Sequence, residues 1–395
     1  MKRRRGLWLV PLAVGACVAL AGSPDPAFDQ LASRPSLSSG LGLPPAAVQD
    51  PALIALGRKL FMDRRLSANG TMSCGMCHVP EQGFAANELA TAVGIEGHSL
   101  RRNAPTVLNV GFQEALFHDG RERRLENQIW APLLAGDEMG NASKDVVLAR
   151  VRELADYAPL LERVLAGQDL TTQTLEAALA AYQRTLVSGG SRFDRRFYAR
   201  EVGALSAQEQ QGFELFRSKA RCAACHRFEI DSALFTDHQF HNTGVGWARQ
   251  QPAARVRVPL APGVETEIPF ALIESLVTPL APDHGRFEVT GREPDRLAYR
   301  TPTLRNVALT APYMHDGSIA SLEGVIEFYD RGGIDNPGKE PFLRRLGLSG
   351  EEKQALAAFL RALTGENVGQ LASEARAAAS TPDFPGARGG APAAR

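Results

Sequence analysis

Two copies of the pentapeptide C-x-x-C-H, CGMCH over 74–78 and CAACH over 222–226, constrain this 395-residue chain more than any other feature. In such a motif two thiols add to the vinyl groups of a haem, and the histidine that follows becomes the proximal ligand of its iron. Covalent attachment lets a small fold keep its haem, and neutral imidazole suits iron in either redox state. A zinc site would need a different ligand arrangement, and a dithiol redox pair has no use for a following histidine twice over. The reading is therefore two covalent haem c groups, one on Cys74, Cys77 and His78 and one on Cys222, Cys225 and His226.

The fifth cysteine, Cys17, lies in an N-terminal segment that reads as an export signal: KRRR (2–5) followed by the apolar run LWLVPLAVGACVALAG (7–22). ALA (19–21) suits cleavage before Gly22, whereas VGAC (14–17) resembles a lipoprotein box with Cys17 as the lipidated residue. An uncleaved anchor is a third possibility, although the run is short for a membrane span. Export predicts a periplasmic location. No cysteine remains for a structural disulfide. Lys+Arg and Asp+Glu balance at 44 each, so charge suggests neither nucleic acid nor an anionic membrane as partner.

Residues 23–50, rich in Pro and Ser, read as an arm, and 372–395, with little apolar content beyond Ala, as a disordered tail. Between them the chain is loosely duplicated. ALGRKLFMDRRLS (55–67) leads to the first haem motif and QQGFELFRSKA (210–220) to the second, each a short amphipathic helix carrying Leu-Phe. Each half also closes with a helix. TLEAALAAYQRTLVSG (174–189) has apolar positions Leu175, Leu179, Tyr182 and Leu186 at helical spacing. LSGEEKQALAAFLRALTG (348–365) opens with a Ser349…Glu352 capping box and stops at Gly365. Strand patterning is confined to QPAARVRVPL (251–260). The predicted class is mainly α: two cytochrome c-like domains, 51–200 and 201–371, with a boundary near REVGALS (200–206) and the haems on either side of the interface.

From about residue 50 to 365 the chain resembles the di-haem bacterial cytochrome c peroxidases and their MauG-type relatives. The matching phrases, in order, are LGRKLFMDRRLSANGTMSCGMCH, RRNAPTVLN, FHDGR, DEMG, RTLVSGGSRFD, CAACH, HNTGV and TPTLRNVALTAPYMHDGSIASLE. The resemblance implies that peroxide reacts at the first haem while the second supplies or stores electrons. It implies Glu138 of DEMG as acid–base catalyst in the distal pocket of the first haem, with Gln128 and Pro132 lining that pocket. A carboxylate there can relay a proton between the two peroxide oxygens. It also implies a calcium ion between the haems, held by the Asn103 side chain and the carbonyls of Thr310 and Pro312.

Three positions depart from the conventional enzymes or divide the family. Where reductively activated members carry a distal histidine, eight residues before Asn103, this chain has Ile95, which cannot ligate iron; His98, three residues out of register, is the alternative ligand. The far ligand of the second haem, a Met in the conventional enzymes, corresponds to Tyr329, the MauG-type arrangement. A phenolate is a hard anionic donor that lowers the potential. Met314 and His315 are the alternatives. Where the family usually has Trp between the haems this chain has His118, a poorer carrier of an oxidising hole. His241 and His315 match positions near the second haem and read as hydrogen bonders to its surroundings.

These features imply an exported di-haem enzyme, monomeric or dimeric, that reacts with hydrogen peroxide and shares oxidising equivalents between haems to oxidise a partner protein. The alternative is peroxide reduction fed by a small cytochrome c or cupredoxin. An electron carrier with two saturated haems is the rival from outside enzymology.

Overall fold

The computed structural model describes residues 42–251, 255–261, 264–269 and 281–379. The proposed signal, most of the arm and residues 380–395 lie outside them. The helices that position the site are α1 (Pro51–Met62), α2 (Thr172–Thr185), α3 (Arg192–Phe197), α4 (Ala207–Arg217), α5 (Leu322–Asp330), α6 (Gly350–Arg361) and α7 (Val368–Ala379). Four short strands, β1 (Phe240–His241), β2 (Arg255–Ala261), β3 (Val264–Pro269) and β4 (Tyr299–Arg300), form two antiparallel pairs, β1 with β4 and β2 with β3. The predicted strand at 251–260 is thus one arm of a hairpin. No described helix is long and apolar enough to cross a membrane.

The duplication read from the sequence holds in three dimensions. In the first half α1 packs on α2, and a Cβ on Gly57 would lie 1.8 Å from the Ala178 carbonyl oxygen. In the second half α4 packs on α6, and a Cβ on Gly212 would lie 2.0 Å from the Ala355 carbonyl oxygen. Each helix pair therefore crosses with backbone against backbone, which only glycine permits. The predicted capping box at Ser349 and Glu352 is formed, as are others at Thr171 and Ser206. Gly212→Ala should destabilise the protein by about 1–3 kcal/mol or more, because the carbonyl that would have to move belongs to a packed helix. Gly369→Ala in α7, where nothing lies within 4 Å, is the control and should be neutral or stabilising. Thermal unfolding of the two variants checks this.

The duplication also reaches the loops. Asn109 and Asn306 both sit at φ 60° and lead into single 3₁₀ turns. The Asn109 amide is bonded both ways to Ser188, just beyond α2, and Asn306 Oδ1 accepts from the Gly365 amide, just beyond α6. Further on, Phe117-His118-Asp119-Gly120 and Met314-His315-Asp316-Gly317 form the same turn, with positive φ at Phe117, Met314 and both glycines. Each turn is closed by a bridge, Leu116 to Glu122 and Tyr313 to Ile319.

Packing moves three of the predicted boundaries. α3, assigned by sequence to the end of the first domain, belongs to the second half. Phe193 packs on Phe213, Phe235 and Phe359 with ring centroids 5.1–5.9 Å apart. Asp194 makes a fully buried two-point ion pair with Arg305 at 2.8 Å. The arm is docked at its end: Gly42 and Leu43 are buried, and the Gly42 carbonyl accepts from Arg305 and Ala233. The predicted disordered tail is corrected for residues 372–379, which continue α7. That helix returns to the first half, buries Ala372 and Ala375 there, and pairs Arg376 with Glu81. Ala-rich sequence suits a helix, and two small faces let it lie close against α1.

Between the halves Arg102 forms a half-buried hub. It bonds Asp119 at 2.6 Å in its own half and Asp283 of the other half at 2.6 and 2.7 Å. Arg101 adds a two-point pair to Glu288.

Candidate functional site

The first motif is a single helical turn, Cys74–Cys77, with His78 at its end. Both thiols are free and half-buried. Burial pushes Cys74 up to about 12, helped by Cys77 and Glu138, and pushes Cys77 up to about 11, helped by Glu138. Thiols held protonated in this way are not a poised redox pair. Burial lowers the His78 pKa and keeps the ring neutral, the form that ligates iron. The Phe84 and Pro105 carbonyls oppose that shift, yet neither is aligned well enough to bond Nδ1, which is buried without a partner. The Tyr182 hydroxyl, close enough to Cys74 to feel its charge, is also buried without a partner. Two protonated thiols, a neutral His78 and a buried Tyr182 hydroxyl without a partner near Cys74 fit a large group that completes the site.

Glu138 lies within electrostatic reach of the same motif, and its charge acts on both Cys74 and Cys77. It sits in a tight turn after the helix Trp130–Leu134: its amide donates to Ala135, and the next amide, Met139, donates to Pro132. That turn brings Pro132 and Glu138 together, and Gln128 lies half-buried one helical turn before Pro132. Burial raises the Glu138 pKa, Asp137 adds to the rise, and Arg121 opposes it. Arg121 stood in a matching phrase of the sequence but carried no assigned role.

Ile95 is buried against this turn. Its amide donates to the Glu138 carbonyl, and its Cδ1 would lie 2.3 Å from a Cβ on Gly140. His98 is not brought into the site; its side chain is 58% exposed and pairs with Glu96 at 3.7 Å. The alternative of His98 as a resting ligand therefore has no support in the geometry.

At the second motif His226 Nδ1 lies 2.9 Å from the Phe235 carbonyl. A carbonyl only accepts, so Nδ1 carries the proton and Nε2 is left with its lone pair for a metal. Burial again keeps the ring neutral. Burial likewise raises the Cys222 thiol to about 12, with Cys225 adding to it. Tyr329, on α5, is half-buried; desolvation first, and then the nearby Cys222 and Cys225, disfavour a phenolate. With no cation beside it the phenol holds its proton well above the usual range; a ferric ion would reverse that balance. Of the alternatives, His315 is occupied elsewhere. Its ring stacks on Tyr299 at 3.5 Å and 11°, at the junction of the halves.

His241 contacts the second site from the side. It bonds Asp237 at 2.9 Å and Glu340 at 2.8 Å, and Cys225 is its other neighbour. The Asp237 bond first, then Cys225 and Glu340, raise its pKa to about 11 against burial, and the pairing helps hold Asp237 down to about 2. A raised histidine pKa adds stability that is complete below about 6.5 and fades as pH climbs toward 11. The lowered aspartate adds stability present above about 3.8 and lost toward pH 2. His241→Gln should therefore cost most between about pH 4 and 6.5 and progressively less above it, a trend that urea unfolding at pH 5, 7 and 9 reads directly.

Asn103 ties the two sites together. Its amide donates to the His315 carbonyl at 2.7 Å, its carbonyl accepts from His118 Nε2 at 3.0 Å, and its Nδ2 donates to Ala90. That last bond turns Oδ1 to the other side of the amide. His118 is neutral, its pKa pushed down to about 3 by burial, so it donates from Nε2.

The family profile described as di-haem cytochrome c peroxidase matches residues 51–201. The methylamine utilization protein MauG of Methylorubrum extorquens is 34% identical over 362 residues, covering 91% of this chain and 92% of that protein. The chain belongs to the di-haem cytochrome c peroxidase family. It is a haem-dependent oxidoreductase of the peroxidase type and takes two haems. Cytochrome-c peroxidase IdrP1 of Pseudomonas sp. strain SCT is also 34% identical, over 375 residues, covering 92% of this chain and 94% of that protein. Among solved structures, a MauG-like protein associated with microbial copper homeostasis superposes with a TM-score of 0.67 at 32% identity, over 83% of this chain and 95% of that one. Family membership implies hydrogen peroxide as oxidant and a redox partner protein.

Proposed function

We propose that this chain is a peroxidase of the MauG kind, exported to the periplasm, which uses peroxide at the first site to oxidise a partner protein through the second. The observation that carries the reading is the Glu138 carboxyl, enclosed beside Cys74 and Cys77, with Ile95 rather than a histidine packed against its turn.

Cys74, Cys77 and His78 would hold one haem c and Cys222, Cys225, His226 and Tyr329 the other. The haems supply the iron that takes up the oxidising equivalents of peroxide. The chain supplies the rest. His78 and His226 would be its neutral nitrogen donors. Glu138, its pKa raised by enclosure, accepts the proton of the inner peroxide oxygen and returns it to the outer one, which leaves as water. Gln128 and Pro132 border that space. Tyr329 gives the second site an anionic oxygen donor, a poor store of reducing electrons and a good holder of an oxidising equivalent. A calcium ion held by Asn103 Oδ1 and the carbonyls of Thr310 and Pro312 would stiffen the junction; the Asn103 Nδ2 bond to Ala90 leaves Oδ1 available.

A second reading, peroxide reduction fed by a small electron carrier, has its own support: IdrP1, named a cytochrome-c peroxidase, is as similar to this chain as MauG. Stopped-flow mixing with peroxide and a reduced small cytochrome c separates the two. The proposed function predicts slow, incomplete oxidation of the cytochrome. Sustained turnover at tens per second would replace it with the second reading.

A further inference from the structure

Each half carries an arginine a few residues ahead of its proximal-loop proline, at positions one residue out of register with each other: Arg102 three before Pro105 and Arg300 two before Pro302. Their surroundings differ. Arg102 is surrounded by carboxylates, Asp119 and Asp283 at 2.6 Å and Glu288 at 3.6 Å. Arg300 is as deeply set and has none among the described residues. Its Nε donates to the Phe117 carbonyl at 3.1 Å, and its Nη1 to Gln113 Oε1 at 2.7 Å and the Thr301 carbonyl at 3.3 Å. These partners are neutral, and Nη2 has no partner among the described residues.

The electrostatics agree with the geometry. Burial alone lowers the Arg300 pKa, to about 10, with no acid acting against it. Glu114, next to Gln113, acts on His238 instead. A half-buried guanidinium with neutral partners and no anion is a costly arrangement, and such groups are retained where a charged partner arrives. The planar fork suits a carboxylate in particular.

We propose that Arg300 is a carboxylate-binding residue, and that its partner is a propionate of the haem held by His226. The position favours that haem: β4 ends at Arg300, two residues before Pro302, whose carbonyl acts on the His226 ring, and Thr236, next to the Phe235 that holds His226, bonds the Thr301 carbonyl at 2.7 Å. The inference rests on the proposed loading of the second motif with haem. It adds that Arg102 serves the protein interface and Arg300 the cofactor.

The test uses the haem-loaded wild type, Arg300→Gln and Arg300→Lys. Intact mass first counts the haems. A wild type lacking the second covalent haem overturns the loading itself, whatever Arg300 does. With both haems present, spectroelectrochemistry reads each potential against pH in a buffer free of carboxylates. Removing a positive charge beside a propionate favours ferric iron, so Arg300→Gln should shift the second haem's equilibrium toward ferric by about tenfold, about 59 mV for one electron. It should also bring a pH-dependent slope to higher pH as the freed propionate titrates, leaving the first haem unmoved. Arg300→Lys should stay near wild type. If Arg300→Gln loses the second haem, Arg300→Lys carries the test: it retains the charge without the bonds to Gln113 and Phe117, and a potential far below wild type overturns the proposal. So does an unchanged potential and slope in Arg300→Gln, or a shift confined to the first haem. A wild-type potential that moves on adding acetate would assign Arg300 to a free carboxylate and overturn the propionate.

Discussion

Glu138→Gln should slow the reaction with peroxide by about 10²–10⁴-fold, the usual worth of a positioned acid–base group. The substitution keeps the shape of the side chain and removes its ability to accept a proton and hand it back. Haem content and the resting spectrum should be unchanged, because Glu138 ligates nothing and its turn is held by backbone bonds among Ala135, Pro132 and Ile95. The pH profile carries a second signature. Enclosure raises the Glu138 pKa, so the wild-type rate should fall with acid through a limb above the ordinary carboxylate range, where the base form is lost. Glu138→Gln should lack that limb. Rapid mixing with peroxide across pH 4–8 measures both. A rate within threefold of wild type would remove Glu138 from the chemistry.

The second large effect belongs to Tyr329. Tyr329→Met replaces an anionic oxygen by a neutral thioether and should raise the second haem's midpoint potential by a few tenths of a volt, within the ~0.8 V that axial ligands span. The second haem would then hold a reducing electron, and the immediate response to peroxide would be confined to the first. Tyr329 is well placed for such a swap: it lies on a regular helix capped by Ser321, and its hydroxyl reaches the space bounded by Cys222 and Cys225. An unchanged potential would mean that another residue, Met314 or His315, is the ligand.

The haem motifs and the helix pairs were legible because both are local. Five consecutive residues define a haem anchor, and a run such as Leu175, Leu179, Tyr182, Leu186 states its own periodicity. Ile95 and Glu138 were legible only through the resemblance, yet they prove to be backbone partners 43 residues apart in sequence. What stayed hidden depends on distant partners. The return of α7 to the first half rests on Ala372 and Ala375, whose composition also suits an open tail. The attachment of α3 to the second half rests on a buried Asp194–Arg305 pair that no local pattern announces. The orphaned Tyr182 hydroxyl looks, in sequence, like one more apolar position on a helix, and the isolation of Arg300 is visible only beside the crowding of Arg102.

The measurement that tests the central claim most directly is the optical and EPR spectrum of the purified ferric protein, before and just after one equivalent of hydrogen peroxide. The account predicts one high-spin and one low-spin haem at rest, and an immediate loss of Soret absorbance at both without prior reduction. Two low-spin haems that ignore peroxide until one electron is added would contradict it, and would mean that a side chain closes the first site in solution.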